Sequence, residues 1–444
     1  MNACARPNLR KGPRYHEPDW WLLSILLTLV MFGTVMVFSA SFPQTAASTG
    51  LARYSELIRQ LAYVAAGGLG MLIAIRIDYH RYARFAFPAL LATMLLLAAL
   101  VFVPGVGTEI YGAKAWILLG PVSFQPAEVA KLVMILYMAT WFAGKGVRIR
   151  SISYGLVQFS VLMGVLVGLL MLQPDLGTAT LLVTVGIAMF FVAGANLLHF
   201  ATFIILGSAA FLAMALSAPY RRDRLLVFLN PDSDIRNLGW QLFQARLALG
   251  SGGLFGLGLG ASRQKFSWLP AAEHDAIFAV IGEELGLAGC GFVLLLFVTF
   301  AWRGYKIAMR APDTLGTLMA VGITTWVIFQ AAFNIGGVTL AIPFTGIPLP
   351  FISAGGTALA VAMASSGILI NISRQTLSVA ELSPSRASST SASGDTPQRT
   401  ARRAHPVPAT SRRRVRTSAQ QAAAPRGQAF GRAAPQRAET GGWE

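Results

Sequence analysis

The sequence predicts an all-α polytopic membrane protein with about ten transmembrane helices, both termini cytoplasmic, and a large extracytoplasmic loop between the seventh and eighth. Three observations predict it. Of 444 residues, 55% are hydrophobic and 12% charged, about half the charge of a soluble domain. Apolar stretches of about twenty residues, enough for a helix to cross about 30 Å of hydrocarbon, recur along most of the chain. Lys and Arg concentrate in alternate short connections, as a membrane topology requires.

Taken in order, the expected spans are 20–41, 58–77, 83–103, 127–144, 152–171, 176–195, 198–218, 275–301, 314–338 and 355–373. The first follows a basic segment, residues 1–19, which carries Arg6, Arg10, Lys11 and Arg14. This span is too long for the core of a signal peptide and no small-residue cleavage site closes it, so it is expected to stay as an anchor. Arg81 and Arg84, then Lys145, Arg148 and Arg150, then Arg303, Lys306 and Arg310 fall in alternate connections and are assigned to the cytoplasm. Gln-Pro-Asp-Leu-Gly at 173–177 and Ala-Asn-Leu-Leu-His at 195–199 read as turns, because an even number of spans satisfies every basic marker; as kinks they would change the parity.

Three regions follow: the cytoplasmic segment 1–19, a transmembrane domain over 20–374, and a tail over 375–444. The tail is rich in Ser, Ala, Pro, Thr and Arg, and is expected to be disordered. Its Arg402, Arg403, Arg412, Arg413, Arg414 and Arg416 supply much of the net charge of +17. Such a run beside a membrane suits anionic headgroups or simply enforces topology; no folded nucleic-acid reader accompanies it. Cys4 and Cys290 offer neither a disulfide framework nor metal-ligand spacing.

Candidate chemistry gathers in the outer loops. Asp275 stands where the polar run from Arg263 enters the apolar stretch of the eighth span, and an ionisable group at a helix mouth is costly unless it has a task. Its other reading is a helix cap. Glu283 falls about 80° around that helix and roughly 12 Å deeper, with Glu284 on the opposite face. The loop from 219 to 274 carries Arg221, Arg222, Arg224, Arg236, Arg246, Arg263 and Lys265, cations suited to phosphate oxygens. Its Gly250, Gly252, Gly253, Gly256, Gly258 and Gly260 would let backbone approach a bulky ligand, and Leu254, Phe255, Leu257 and Leu259 can lie in the membrane interface. A lipid with a phosphate headgroup fits both features. In the loop 104–126, Lys114, Trp116 and Gln125 precede Glu128 and Lys131, which share a helix face. The latter two read either as an ion pair that lowers the cost of burial or as participants in the site.

Several motifs then coincide with one family. Pro-Gly-Val-Gly (104–107), Gly-Ala-Lys-Ala-Trp (112–116), Gln-Pro-Ala-Glu (125–128) with Lys131, Leu-Gly-Ser-Gly-Gly (249–253), Gly-Ala-Ser-Arg-Gln-Lys-Phe (260–266), Asp-Ala-Ile-Phe-Ala-Val-Ile-Gly-Glu-Glu-Leu-Gly (275–286) and Thr-Gly-Ile-Pro-Leu-Pro-Phe-Ile-Ser-Ala-Gly-Gly (345–356) resemble the SEDS cell-wall polymerases, FtsW and RodA. The resemblance covers about Asp19 to Arg374 and leans to FtsW, the division branch. It departs from the pattern at Lys114, usually Arg; at Ala127, usually Ser; at Ala354, usually Tyr; and at Glu273 and His274, whose order beside Asp275 is shifted.

The resemblance implies a peptidoglycan glycosyltransferase that polymerises lipid II on the outer face of the cytoplasmic membrane, and makes the carboxylate at Asp275 essential. It also implies a class B penicillin-binding transpeptidase and division-site proteins as partners. Diphosphate is a good leaving group that needs cations, here Arg263, Lys265 and Lys114, while the acceptor hydroxyl needs a base, here Asp275. An α-linked donor giving a β-linked product requires a single inverting displacement, with no second carboxylate as nucleophile. No cofactor is called for with certainty; Mg²⁺ or another divalent cation would be held largely by the substrate's phosphates. A lipid II flippase is the second reading, because broken helices and intramembrane carboxylates also mark transporters. A division scaffold is the third.

Overall fold

The computed structural model describes residues 16–45, 50–110, 113–120, 122–196, 198, 200–205, 207–209, 222, 226–230, 239–266 and 268–376. Ten helices are used below: α1 Trp20–Thr45, α2 Ser55–Arg76, α3 Tyr79–Phe102, α4 Pro126–Lys145, α5 Gln158–Leu172, α6 Leu176–Val192, α7 Trp240–Ser251, α8 Ile277–Arg310, α9 Thr314–Val338 and α10 Thr357–Ser373. Among the described residues, seven helical segments are long and apolar enough to cross a membrane; Leu176–Val192, Phe200–Ala209 and Thr357–Ser373 are shorter apolar helices. The expected span 198–218 is thus met only in part, since its residues beyond 209 lie outside the described ones, as do segment 1–15 and the tail from 377.

Local chemistry explains many boundaries. Asp19, Asp78, Asp175 and Asp313 accept hydrogen bonds from main-chain N–H groups at the starts of α1, α3, α6 and α9, satisfying donors a helix start leaves open. Pro126 occupies the first turn of α4, where its missing N–H costs nothing. Residues 173–175 form the turn between α5 and α6.

The all-α expectation is corrected in the loop after α3. Residues Thr108–Ile110, Ala113–Leu119 and Val122–Phe124 form strands β1, β2 and β3 of an antiparallel sheet, with Thr108 opposite Trp116 and Ile117 opposite Phe124. A second departure lies in α8, which is broken at Gly286, where φ is +67° and ψ −163°.

Small residues allow close helix packing. A Cβ at Gly367 of α10 would lie 2.6 Å from the Met71 carbonyl of α2, and one at Gly67 would lie 2.8 Å from Met363 Sδ, the close approach favoured between helices in lipid. Of the seven membrane-length helices α9 is the most buried.

The two ends of the bundle differ. At one, the Asp19 carboxylate meets Arg303 at 3.0 Å, His16 N–H donates to the Arg374 carbonyl at 2.6 Å, and Asp19 N–H donates to Ser373 Oγ at 3.2 Å. There too His80 bridges Asp78 and Asp313 at 2.7 and 2.6 Å. At the opposite end lie the sheet, the start of α8 and the 347–356 segment.

Candidate active site

Asp275 sits in consecutive turns just before α8. These turns are closed by His274 N–H to the Ala271 carbonyl at 3.0 Å, with Ala271 at φ +50°. The cap position of α8 falls on Ala276, without a side-chain cap bond, so capping does not account for Asp275. Instead its Oδ1 accepts from Gln241 Nε2 of α7 at 3.1 Å. Its carbonyl accepts from Asn334 Nδ2 of α9 at 2.8 Å, and the same amide donates to the Ile347 carbonyl at 2.8 Å. The partly exposed side chain is thus held from α7 and its main chain from α9. The Gln241 amide orients one oxygen of the carboxylate.

Glu273 and His274 turn toward the 347–356 segment. The Glu273 carbonyl accepts from Ala354 N–H at 2.9 Å, and His274 Nδ1 pairs with the Ala354 carbonyl. Thr357, the residue that follows that segment, reaches the sheet. Thr357 Oγ1 donates to the Ser123 carbonyl at 2.9 Å and accepts from Gln125 N–H at 3.3 Å. Lys114 is exposed on β2, Trp116 is partly buried beside it, and Gln125 directly precedes α4. The 347–356 segment is the link between this group and Asp275.

Glu128 and Lys131 form a buried ion pair at 2.7 Å, with side chains 3% and 1% exposed. Lys131 Nζ also donates to Gln330 Oε1 at 3.0 Å and lies 5.2 Å from the Trp326 ring centroid, while Gln330 Nε2 donates to the Pro348 carbonyl at 3.0 Å. The pair therefore props the 347–356 segment from beneath.

Two expectations for the long loop are corrected. Lys265, read as a cation for the diphosphate, is buried: its Nζ meets Glu284 Oε1 at 2.7 Å and Ser39 Oγ at 3.0 Å. Burial without a partner would cost more than a bond to a distant phosphate returns. The second concerns the glycines: Gly252 and Gly256 are packed against α8. Leu257 and Gly258 N–H groups donate to the Glu283 and Glu284 carbonyls at 2.9 and 3.0 Å; Leu287 and Ala288 N–H groups return bonds to Gly253 and Leu254. A Cβ at Gly252 or Gly256 would lie 1.8 or 2.1 Å from a carbonyl oxygen of α8. The loop thus satisfies the polar groups that the break at Gly286 exposes, as apolar surroundings demand.

Arg263 remains exposed, and its position is set from below: Glu283 accepts from Ser262 Oγ, from Arg263 N–H at 2.9 Å and from Gln264 N–H at 3.3 Å. Arg222 and Arg246 are also exposed; Arg221, Arg224 and Arg236 lie outside the described residues. Leu254, Phe255, Leu257 and Leu259 are exposed as expected of an interfacial rim. Among the described residues no three His, Cys, Asp or Glu converge as a metal site. The sequence reading missed Gln241 and Asn334.

A sequence model of the cell cycle protein family that groups FtsW, RodA and SpoVE matches residues 20–378. The chain belongs to the FtsW/RodA/SpoVE family. It is 40% identical over 362 residues to stage V sporulation protein E of Bacillus subtilis (strain 168), covering 81% of this chain and 97% of that protein. It is also 40% identical over 365 residues to the probable peptidoglycan glycosyltransferase FtsW of Trichlorobacter lovleyi, covering 82% and 95%. Among solved structures it resembles a chain from a peptidoglycan synthase complex that coordinates polymerization and crosslinking, with TM-score 0.65, 28% identity, and 81% and 98% coverage. Rod shape determining protein RodA of Thermus thermophilus gives a TM-score of 0.60 at 29% identity, covering 82% of this chain and 100% of that one.

Proposed function

We propose that the chain is a peptidoglycan glycosyltransferase that polymerises lipid II during septal wall synthesis, working on the extracytoplasmic face of the cytoplasmic membrane. The observation that carries this reading is the clamped Asp275, held by Gln241 and Asn334 at the end of the bundle that also carries exposed Arg263 and Lys114. The naming of relatives as FtsW glycosyltransferases supports both the activity and the division role. The peptidoglycan synthase complex among the similar structures supports a class B penicillin-binding transpeptidase as partner.

In the proposed reaction a sugar hydroxyl of one lipid II attacks the anomeric carbon of another. Asp275 takes the hydroxyl proton, a contribution of about 10² to 10⁴ in rate. The bond to the diphosphate breaks as the new glycosidic bond forms, inverting the centre, and Arg263 with Lys114 holds the charge that develops on the leaving diphosphate. Lys265 stays with Glu284, acting on the site only through the loop it anchors. Glu128 and Lys131 support the floor; Trp116 and Gln125 border the sheet side. Among the described residues no three His, Cys, Asp or Glu side chains converge to hold Mg²⁺.

Purified Asp275→Asn protein, tested with labelled lipid II in the presence of the transpeptidase, should keep its melting temperature and lose about 10² to 10⁴ of its polymerisation rate. Wild-type turnover in that variant overturns the role. The flippase reading draws on the broken α8, but the gap there is filled by backbone of the glycine loop rather than by a cavity.

A further inference from the structure

A groove of about 500 Å³ opens on the flank of the bundle away from Asp275, lined by Met94 of α3, Tyr137 and Trp141 of α4, and Val157, Val161 and Val165 on and before α5. Its walls are apolar except for Gln158. Val157, Val161 and Val165 are 49%, 60% and 44% exposed, so the chain itself leaves them uncovered. One end is basic. Lys145 follows Trp141 by one turn, and its Nζ lies 5.3 Å from the centroid of Tyr154, one turn before Val157. Arg148 is exposed in the same connection, whereas Arg150 is engaged with the Gly194 carbonyl at 3.3 Å.

We infer that this groove is a binding site for one anionic phospholipid of the cytoplasmic leaflet, with an acyl chain along Val157–Val165 and its phosphate between Lys145 and Arg148. Depth selects this occupant. Eight helical residues rise about 12 Å, close to the roughly 15 Å of hydrocarbon in one leaflet, so the slot holds an acyl chain and ends where a long polyprenyl chain would continue. Charge selects the headgroup, because basic pockets between helices on the cytoplasmic side favour anionic lipids. Trp141 and Tyr154 stand at the level of the headgroup, where amphipathic rings settle. The site is independent of the proposed polymerisation.

The test is native mass spectrometry of the full chain released from nanodiscs of equal phosphatidylglycerol and phosphatidylcholine. Wild-type protein should retain one phosphatidylglycerol in preference to phosphatidylcholine. Lys145→Gln with Arg148→Gln should erase that preference, by about fivefold per cation and about thirtyfold together. Val161→Trp, which fills the groove from its lipid-facing side, should abolish retention of either lipid. Val165→Phe serves the same purpose should Val161→Trp fail to run as a single species with the wild-type melting temperature. Equal retention of the two lipids by wild-type protein overturns the inference, as does phosphatidylglycerol that survives both changes. A polyprenyl phosphate displaced by Val161→Trp would assign the groove to another occupant and overturn it as well.

Discussion

Asp275 and Gln241 show what a residue reveals alone and what it reveals only in company. The aspartate was legible because a lone carboxylate at the edge of an apolar run is expensive. Gln241 carries no charge and lies 34 positions away, so nothing marks it until α7 folds against the turn. Its removal should leave the carboxylate unaligned: Gln241→Ala is expected to lower kcat by about ten- to a hundredfold, the worth of a hydrogen bond to a charged group, with little change in thermal unfolding. An unchanged kcat in steady-state assays would separate Gln241 from catalysis. Lys265 shows the opposite failure. Its basic neighbours suggested a phosphate ligand, while its partner Glu284 lay hidden inside a hydrophobic helix. With both side chains buried, Lys265→Met strands a carboxylate and should destabilise the protein by about 3–5 kcal/mol. The double change Lys265→Met with Glu284→Leu should recover most of that loss in detergent melting experiments.

At the scale of elements, hydropathy located the spans but not what interrupts them. Gly286 follows Glu283 and Glu284 in an otherwise apolar span, and glycine is common in transmembrane helices, so the glycine itself gives no signal of the break in α8. The sheet was missed because strands of three residues, as in β1 and β3, are too short to show a period of two. The glycine loop makes the close backbone approach that the sequence predicts, and makes it to α8, at Gly252 and Gly256. Its packing separates two substitutions that sequence alone treats alike. Gly256 has φ +80° and a Cβ position 2.1 Å from the Glu284 carbonyl oxygen, whereas a Cβ at Gly250 meets nothing within 4 Å. Gly256→Ala should therefore displace the loop from α8 and reduce both melting temperature and polymerisation. Gly250→Ala, in the helix α7, should match or exceed wild-type stability. Equal behaviour of the two would refute the packing role given to the loop.

Across the whole molecule, a polar site at one end of the bundle stands over a charged clasp at the other. Burial by itself would raise the Asp313 carboxyl, but hydrogen bonds from His80, from Gly316 N–H and from Tyr79 hold it below its ordinary 3.8. A carboxyl depressed in this way contributes stability that is complete above its unfolded value and is lost as pH falls through the depressed one. Melting temperature should therefore decline as pH falls below about 4, and Asp313→Asn should flatten that decline while lowering stability at neutral pH. A profile identical in the two proteins would remove the clasp from the account.

The same end carries the seam where His16 and Asp19 bond to Arg374 and Ser373. The residues just before α1 and at the end of α10 are bonded together there, so these two described helices share one anchor. A tug on His16 loads the end of α10 directly, and α10 begins where the 347–356 segment hands over its last glycine. Whatever grips the protein from the basic side thus holds a rod whose far tip borders the chemistry.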